Sequence, residues 1–176
     1  MRTSFPHYTQ LDSMDRDVIR TMRIRDEYIN NKKLQKQSVS ERYTDFEIQT
    51  QSGESRKLSD YVGKSEYLFI DFWASWCGPC IADIPNIKKA YEKYRGKGLE
   101  VLGVSIDNSE ESWKKALKRI DAPWDQVIVK KNTESLVREM YHFKEIPYSI
   151  LLDKDGYIIE VGLRGYTLEK ILDEKR

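Results

Sequence analysis

Strands alternating with helices, then a hairpin and one closing helix, predict an α/β fold in which helices flank a central mixed β-sheet. Three stretches carry that expectation. Tyr67-Leu68-Phe69-Ile70-Asp71-Phe72-Trp73 is an apolar run interrupted by a single acid. Residues 99–106 are nearly all apolar, the mark of a strand buried on both faces. Residues 148–152 and 157–161, joined by Asp153-Lys154-Asp155-Gly156, read as a β-hairpin.

The remaining elements follow in chain order. Residues 1 to about 10 read as a tail. From Asp12 to Gln37 there is neither Gly nor Pro, and Asp12 or Ser13 offers a capping oxygen. Met14, Val18, Met22 and Arg25 fall on one line, with Ile19, Ile24 and Tyr28 nearby. So thin an apolar stripe predicts one or two helices packed weakly on a domain or on something outside this chain. A different texture begins near Tyr43. Phe46-Glu47-Ile48-Gln49-Thr50 alternates as a strand does, Ser52-Gly53-Glu54 turns, and Arg56-Lys57-Leu58 returns. Leu58-Ser59-Asp60-Tyr61-Val62-Gly63 predicts a short helical turn capped by Ser59.

After the strand ending at Trp73, a helix beginning at Gly78 places Ile81, Ile84, Ile87, Tyr91 and Tyr94 on one face and stops at Gly96-Lys97-Gly98. Ser109-Glu110-Glu111 opens another, with acids where the helix dipole favours them and Trp113, Ala116, Leu117 and Ile120 inward. It ends at Asp121-Ala122-Pro123. Residues 126–129 form a short strand, and Asn132 or Thr133 caps a helix bearing Leu136, Val137, Met140 and Tyr141. Thr167 caps the closing helix, whose inner face is Leu168, Ile171 and Leu172. The expected organisation is a tail and helical extension over residues 1–40 and one domain over residues 41–176.

Composition narrows the function classes. A chain of 176 residues is long enough to bury a real core. Its net charge of +1 provides no broad electrostatic footprint for nucleic acid or an anionic membrane. No apolar stretch approaches the length needed to span a bilayer. Met1 is followed by polar residues and Pro6 rather than a secretory apolar segment, so the protein is either cytosolic or has its export signal upstream.

The chemistry concentrates at Trp76-Cys77-Gly78-Pro79-Cys80, which holds both cysteines of the chain. A Cys-x-x-Cys pair closes and opens a small disulfide ring without the rest of the fold moving, which makes it a two-electron switch. A zinc site would need two further thiolate or imidazole ligands, and only His7 and His142 are on offer. A structural bridge over so short a loop restrains the unfolded chain very little. Cys77, at the N-terminus of the helix that starts at Gly78, meets unpaired backbone N–H groups that stabilise a thiolate. Pro79 suits the first turn because its missing N–H has no partner there. Cys80 lies one turn inside and more buried. Cys77 is therefore expected to attack a partner's disulfide, and Cys80 to resolve the mixed disulfide.

Resolution requires Cys80 to lose a proton in a low-dielectric place, and a buried carboxylate can accept it. Asp71, inside an otherwise apolar strand, and Asp83, one helical turn beyond Cys80, are the two candidates. Pro147 is the residue type that tolerates a cis peptide. That geometry would expose the backbone of Ile146 beside the sulfurs for a substrate strand. Trp76 supplies a flat wall to the same groove; with Gly78 and Pro79 these residues form the expected substrate-binding surface.

The segment from Asp71 to Cys80 resembles the active site of thioredoxin almost residue by residue. Pro85 matches that family's helix proline, and Ile146-Pro147 its cis-proline loop. The layout over residues 41–176 resembles the ResA/TlpA branch of extracytoplasmic thiol-disulfide oxidoreductases, which add an N-terminal β-hairpin, here residues 46–58. They also insert a strand and helix before the cis-proline, here about residues 126–141. The resemblance implies a thioredoxin-like fold and a cell-envelope location, with cytoplasm as the alternative. Where that branch usually has Glu three residues past the second cysteine, this chain has Asp83. Where it has Thr after the cis-proline, this chain has Tyr148.

The resulting expectation is a thiol-disulfide oxidoreductase that reduces protein disulfides and is recharged by an upstream reductase. It needs no cofactor and no metal. Gly78-Pro79 puts no positive charge between the sulfurs, and Asp71 and Asp83 oppose thiolate formation, which favours a reducing couple. The alternatives are a thiol-dependent peroxidase, or electron donor to one, and a non-enzymatic interaction module with a vestigial redox pair. A calcium loop at residues 153–156 lacks its remaining ligands. His142 and the lysine-rich helix faces are read as packing and solvated surface.

Overall fold

The computed structural model describes residues 8–37 and 39–175. The chain divides into two units, residues 1–34 and 35–176. In the first, α1 (Tyr8–Gln37) is one uninterrupted helix whose last residues belong to the second unit, so Asp12 and Ser13 lie inside it rather than capping it. Of the tail expected over residues 1 to about 10, residues 8–10 are helical instead, and residues 1–7 lie outside the described residues. Among the described residues no helix is long and apolar enough to cross a membrane.

The second unit is built on a seven-stranded mixed sheet in the order β2-β1-β5-β4-β3-β6-β7. β3 (Tyr67–Trp73) pairs in parallel with β4 (Leu99–Ser105), which pairs in parallel with β5 (Asp125–Val129). On the other side of β3, the hairpin of β6 (Tyr148–Asp153) and β7 (Ile158–Val161) runs antiparallel. At the far edge the added hairpin, β1 (Glu47–Thr50) and β2 (Ser55–Lys57), joins the sheet through antiparallel pairing of β1 with β5.

Side chains alternate across a strand, so each strand feeds two cores. Phe69, Leu99, Val101 and Leu151 pack with Ile84, Ile87, Ala90 and Tyr94 of α2 (Gly78–Tyr94) and with Leu168 and Leu172 of α5 (Gly165–Glu174). Leu68, Ile70, Phe72, Leu102, Val104, Ile150 and Leu152 face the other way. They meet Trp113 and Ala116 of α3 (Glu110–Leu117) and Val137 of α4 (Glu134–Met140). The same alternation puts Asp71 on the α2/α5 side.

Several helix starts differ from the sequence expectation. The short 3₁₀ turn at Leu58–Asp60 is closed by Asp60, which accepts from the Lys57 N–H at 2.8 Å, whereas the Ser59 hydroxyl donates to Asp45 at 2.9 Å. Thr133 stands at the cap position of α4, but its hydroxyl donates back to the Lys130 carbonyl at 2.6 Å. Thr167 is the third residue of α5, not its cap, and its hydroxyl accepts from the Arg164 N–H at 3.0 Å. In all three a local alternative wins because short polar side chains reach more than one backbone group. Ser109 does cap α3, accepting from Ser112 N–H at 3.2 Å. α2 leads through a 3₁₀ turn to Gly98, whose φ of 96° is the left-handed conformation glycine adopts without a Cβ penalty.

α5 abuts α2 at Gly165, where a Cβ would fall 2.4 Å from the Ile87 nitrogen and 2.7 Å from the Asn86 Cβ. Backbone cannot give way as a flexible side chain does. Gly165→Ala is therefore expected to prise α5 from α2 and lower stability by about 1–3 kcal/mol in urea denaturation.

Candidate active site

Cys77 holds the N-cap position of α2 in an extended conformation, and its sulfur accepts from the Cys80 N–H at 3.2 Å. The Cys77 N–H is itself tied to the Ala74 carbonyl at 3.0 Å. The two sulfurs are bonded to each other. The expected contrast in exposure is small, with Cys77 at 4% and Cys80 at 1%. What separates them is backbone position: one sulfur lies outside the helix facing an N–H, the other inside the first turn. Trp76, immediately ahead, is 65% exposed.

The Ile146–Pro147 bond is cis. Ile146 packs on the same buried cluster that contains both cysteines. Tyr148, in the position after the proline, turns inward. Its ring stacks on Phe143 at 4.7 Å, and Phe143 in turn meets Phe72 of β3 at 4.9 Å. The loop before β6 is thus held by aromatic packing.

Asp71 is buried in β3, and its carboxyl is raised from the ordinary aspartate range to about 7. Burial is the main cause, because it penalises the charged form; the negative charge of Asp83 adds to it and the positive charge of Arg164 opposes it. Asp83 is also buried. Its Oδ1 accepts from Asn86 Nδ2 at 3.0 Å, and its Oδ2 accepts from the Gly165 N–H at 2.9 Å and lies 3.3 Å from Arg164 Nε. The Arg164 guanidinium donates further to the Pro79 carbonyl at 3.2 Å. Asp83 thereby closes the start of α5 from another helix.

Another buried acid lies where no motif pointed. Asp107 accepts from the Ser75 N–H at 2.8 Å, the Ser75 hydroxyl at 2.6 Å and the Ser105 hydroxyl at 2.8 Å. It clamps the loop that carries Trp76 and Cys77. The signal lay in the strand register. β3 and β4 are parallel with Trp73 opposite Ser105, so Ser75 and Asp107 leave the same sheet edge side by side. Arg164 and Asn86 were likewise out of reach of motif reading. Among the described residues no group of three or more His, Cys, Asp or Glu side chains is arranged to hold a metal ion.

A family model for thioredoxin-like proteins matches residues 64–158, more than half of the chain. The thiol-disulfide oxidoreductase ResA of a Bacillus cereus strain is 29% identical over 137 residues, covering 78% of this chain and 76% of that protein. Its counterpart in Geobacillus kaustophilus is 30% identical over 127 residues, covering 72% and 70%. Among solved structures, the thioredoxin domain of a thiol-disulfide oxidoreductase from Bacteroides vulgatus superimposes with a TM-score of 0.72. It is 31% identical and covers 78% of this chain and 96% of that one. Fold and site together define a protein of thiol-disulfide exchange. The chain belongs to the thioredoxin-like family and is a thiol-disulfide oxidoreductase similar to ResA.

Because folding raises Asp71 from 3.8 to about 7, the folded state binds more protons than the unfolded one across that window. Stability therefore falls as pH rises through it. Asp71→Asn is expected to be more stable than the parent at pH 8, by on the order of 2–4 kcal/mol, with the difference shrinking toward pH 4. Urea denaturation of the oxidised proteins across that range measures it. Asp107→Ala leaves the Ser75 N–H and both hydroxyls without their acceptor and is expected to cost about 2–4 kcal/mol in the same assay.

Proposed function

We propose that this protein reduces disulfides in other proteins, cycling Cys77 and Cys80 between dithiol and disulfide. The observation that supports it best is Cys77 at the helix N-terminus, its sulfur facing the Cys80 N–H, with a buried carboxyl raised to about 7 in the strand that leads to it. The direction is inferred from charge. Gly78-Pro79 brings no cation between the sulfurs, and Asp71 and Asp83 both oppose a thiolate, which favours a reducing couple.

In this reading the Cys77 thiolate attacks one sulfur of the substrate disulfide. The other substrate sulfur leaves as thiolate and takes up a proton. Cys80 then gives its proton to the Asp71 carboxylate and attacks Cys77, forming the Cys77–Cys80 bond and releasing the first substrate sulfur. Two electrons pass to the substrate, and an upstream dithiol reductase returns them. Asp83 acts as a secondary acid. Exposed Trp76, with Gly78, Pro79, Ile146 and Pro147, forms the surface on which a substrate strand lies.

Residues 1–40 are read as an N-terminal extension to the catalytic domain at 41–176. The likeness to the ResA/TlpA branch supports a cell-envelope location. Fractionation of source cells tests this, and a wholly cytosolic full-length product would overturn it.

Turnover of a protein disulfide with dithiothreitol, exceeding turnover of peroxide, is the expected result; the reverse order makes the protein a peroxidase. Cys80→Ser should accumulate mixed disulfides and Cys77→Ser should not, and alkylation of the reduced protein at pH 7 should mark Cys77 first. Asp71→Asn should leave the first attack nearly unchanged and slow resolution by about 10²-fold in stopped flow.

A further inference from the structure

Arg164 joins groups that the redox reaction depends on. One end of its guanidinium donates to the Pro79 carbonyl at 3.2 Å, in the first turn of α2 between the two cysteines. Its Nε lies 3.3 Å from Asp83 Oδ2, one turn further along the same helix. The next residue, Gly165, donates its N–H to that same oxygen at 2.9 Å, at a close approach where a Cβ would fall 2.4 Å from the Ile87 nitrogen. The side chain is about one-third exposed at 31%, whereas Asp83 is 8% exposed, so solvent screens only the outer part of the pair.

The oxygens of Asp83 are accordingly engaged by Asn86, Gly165 and Arg164. Two hydrogen bonds and an ion pair thus fix the Asp83 carboxylate in place. Asp71 is placed differently. On its neighbouring strands it is paired with Gly103 of β4, which has no side chain, and with Ser149 of β6, whose hydroxyl donates to the Leu163 carbonyl at 2.7 Å. The charges that face it are Asp83 from α2 and Arg164 from the turn before α5.

We propose that Arg164 is a positioning residue of the redox reaction. It is a cation that ties Asp83 and the first turn of the active-site helix to the start of α5, and it leaves Asp71 as the buried carboxyl that receives the Cys80 proton. This rests on the reading of Asp71 as proton acceptor. Its consequence is a pair of opposed charge effects. Arg164 favours the ionised form of Asp71 and Asp83 disfavours it, so the availability of the base at neutral pH is set by their balance.

The test follows the Asp71 carboxyl directly, by ¹³C NMR titration of the oxidised protein, in which neither cysteine titrates, together with the pH profile of mixed-disulfide resolution. Arg164→Gln should move the Asp71 midpoint upward and slow resolution about three- to tenfold at pH 7, with recovery near pH 9. Asp83→Asn should move the midpoint downward. Arg164→Lys should restore most of the parent midpoint, since it keeps the charge. A merely structural clamp would make Arg164→Gln and Asp83→Asn act in the same direction, with a loss equal at every pH. That outcome overturns the proposal, as does an unmoved midpoint. A midpoint that moves while the resolution profile stays fixed, with Asp71→Asn equally silent, overturns the assignment of Asp71 as acceptor and with it the catalytic role given to Arg164.

Discussion

Burial of Asp71 inside β3 is the constraint around which the α2/α5 side of the molecule is arranged. An ionised carboxyl in an apolar layer is unfavourable, and the response in this fold is a raised proton affinity rather than a direct ion pair. The surrounding charges modulate that response. Asp83 pushes it further, Arg164 restrains it, and both are fixed in place by the close packing of α2 against α5 at Gly165. The geometry of two helices and the proton affinity of one strand residue are thus the same problem seen from two sides.

The other half of the site depends on strand pairing. Because β3 and β4 run parallel and in register, their C-terminal ends deliver two loops to one edge of the sheet. Asp107 on one loop satisfies Ser75 on the other, and this holds the short stretch from Ala74 to Cys77 in position before the helix begins. The N-terminus of α2 then directs the Cys80 N–H at the Cys77 sulfur. On the remaining side, the stack of Phe72, Phe143 and Tyr148 anchors the loop that carries Pro147. Both cysteines are thereby held in buried packing.

Much of this was legible in the residues. The cysteine pair, the strand before it and the helix after it announce themselves through local pattern: an apolar run, a capping position, a proline where a helix tolerates one. Each strand and helix was found in the order expected. The helix caps were less legible, because Ser, Thr and Asp side chains reach several backbone groups at comparable cost. Thr133 and Thr167 bond backward, and the start of α5 is closed by a carboxylate from α2 that lies 82 residues away in sequence.

The sequence by itself determined the fold class, the family resemblance, the reactive pair and the burial of one acid in a central strand. Those depend on periodicity and on neighbours along the chain, where a few residues carry the whole physical reason. The tertiary structure alone decided that Asp83 bridges two helices, that Arg164 and Asp107 bond to the segment around the cysteines, and that Tyr148 faces the core. Each of those facts is set by which distant backbone and side-chain groups remain unsatisfied once the sheet and helices have packed, and no local pattern records that.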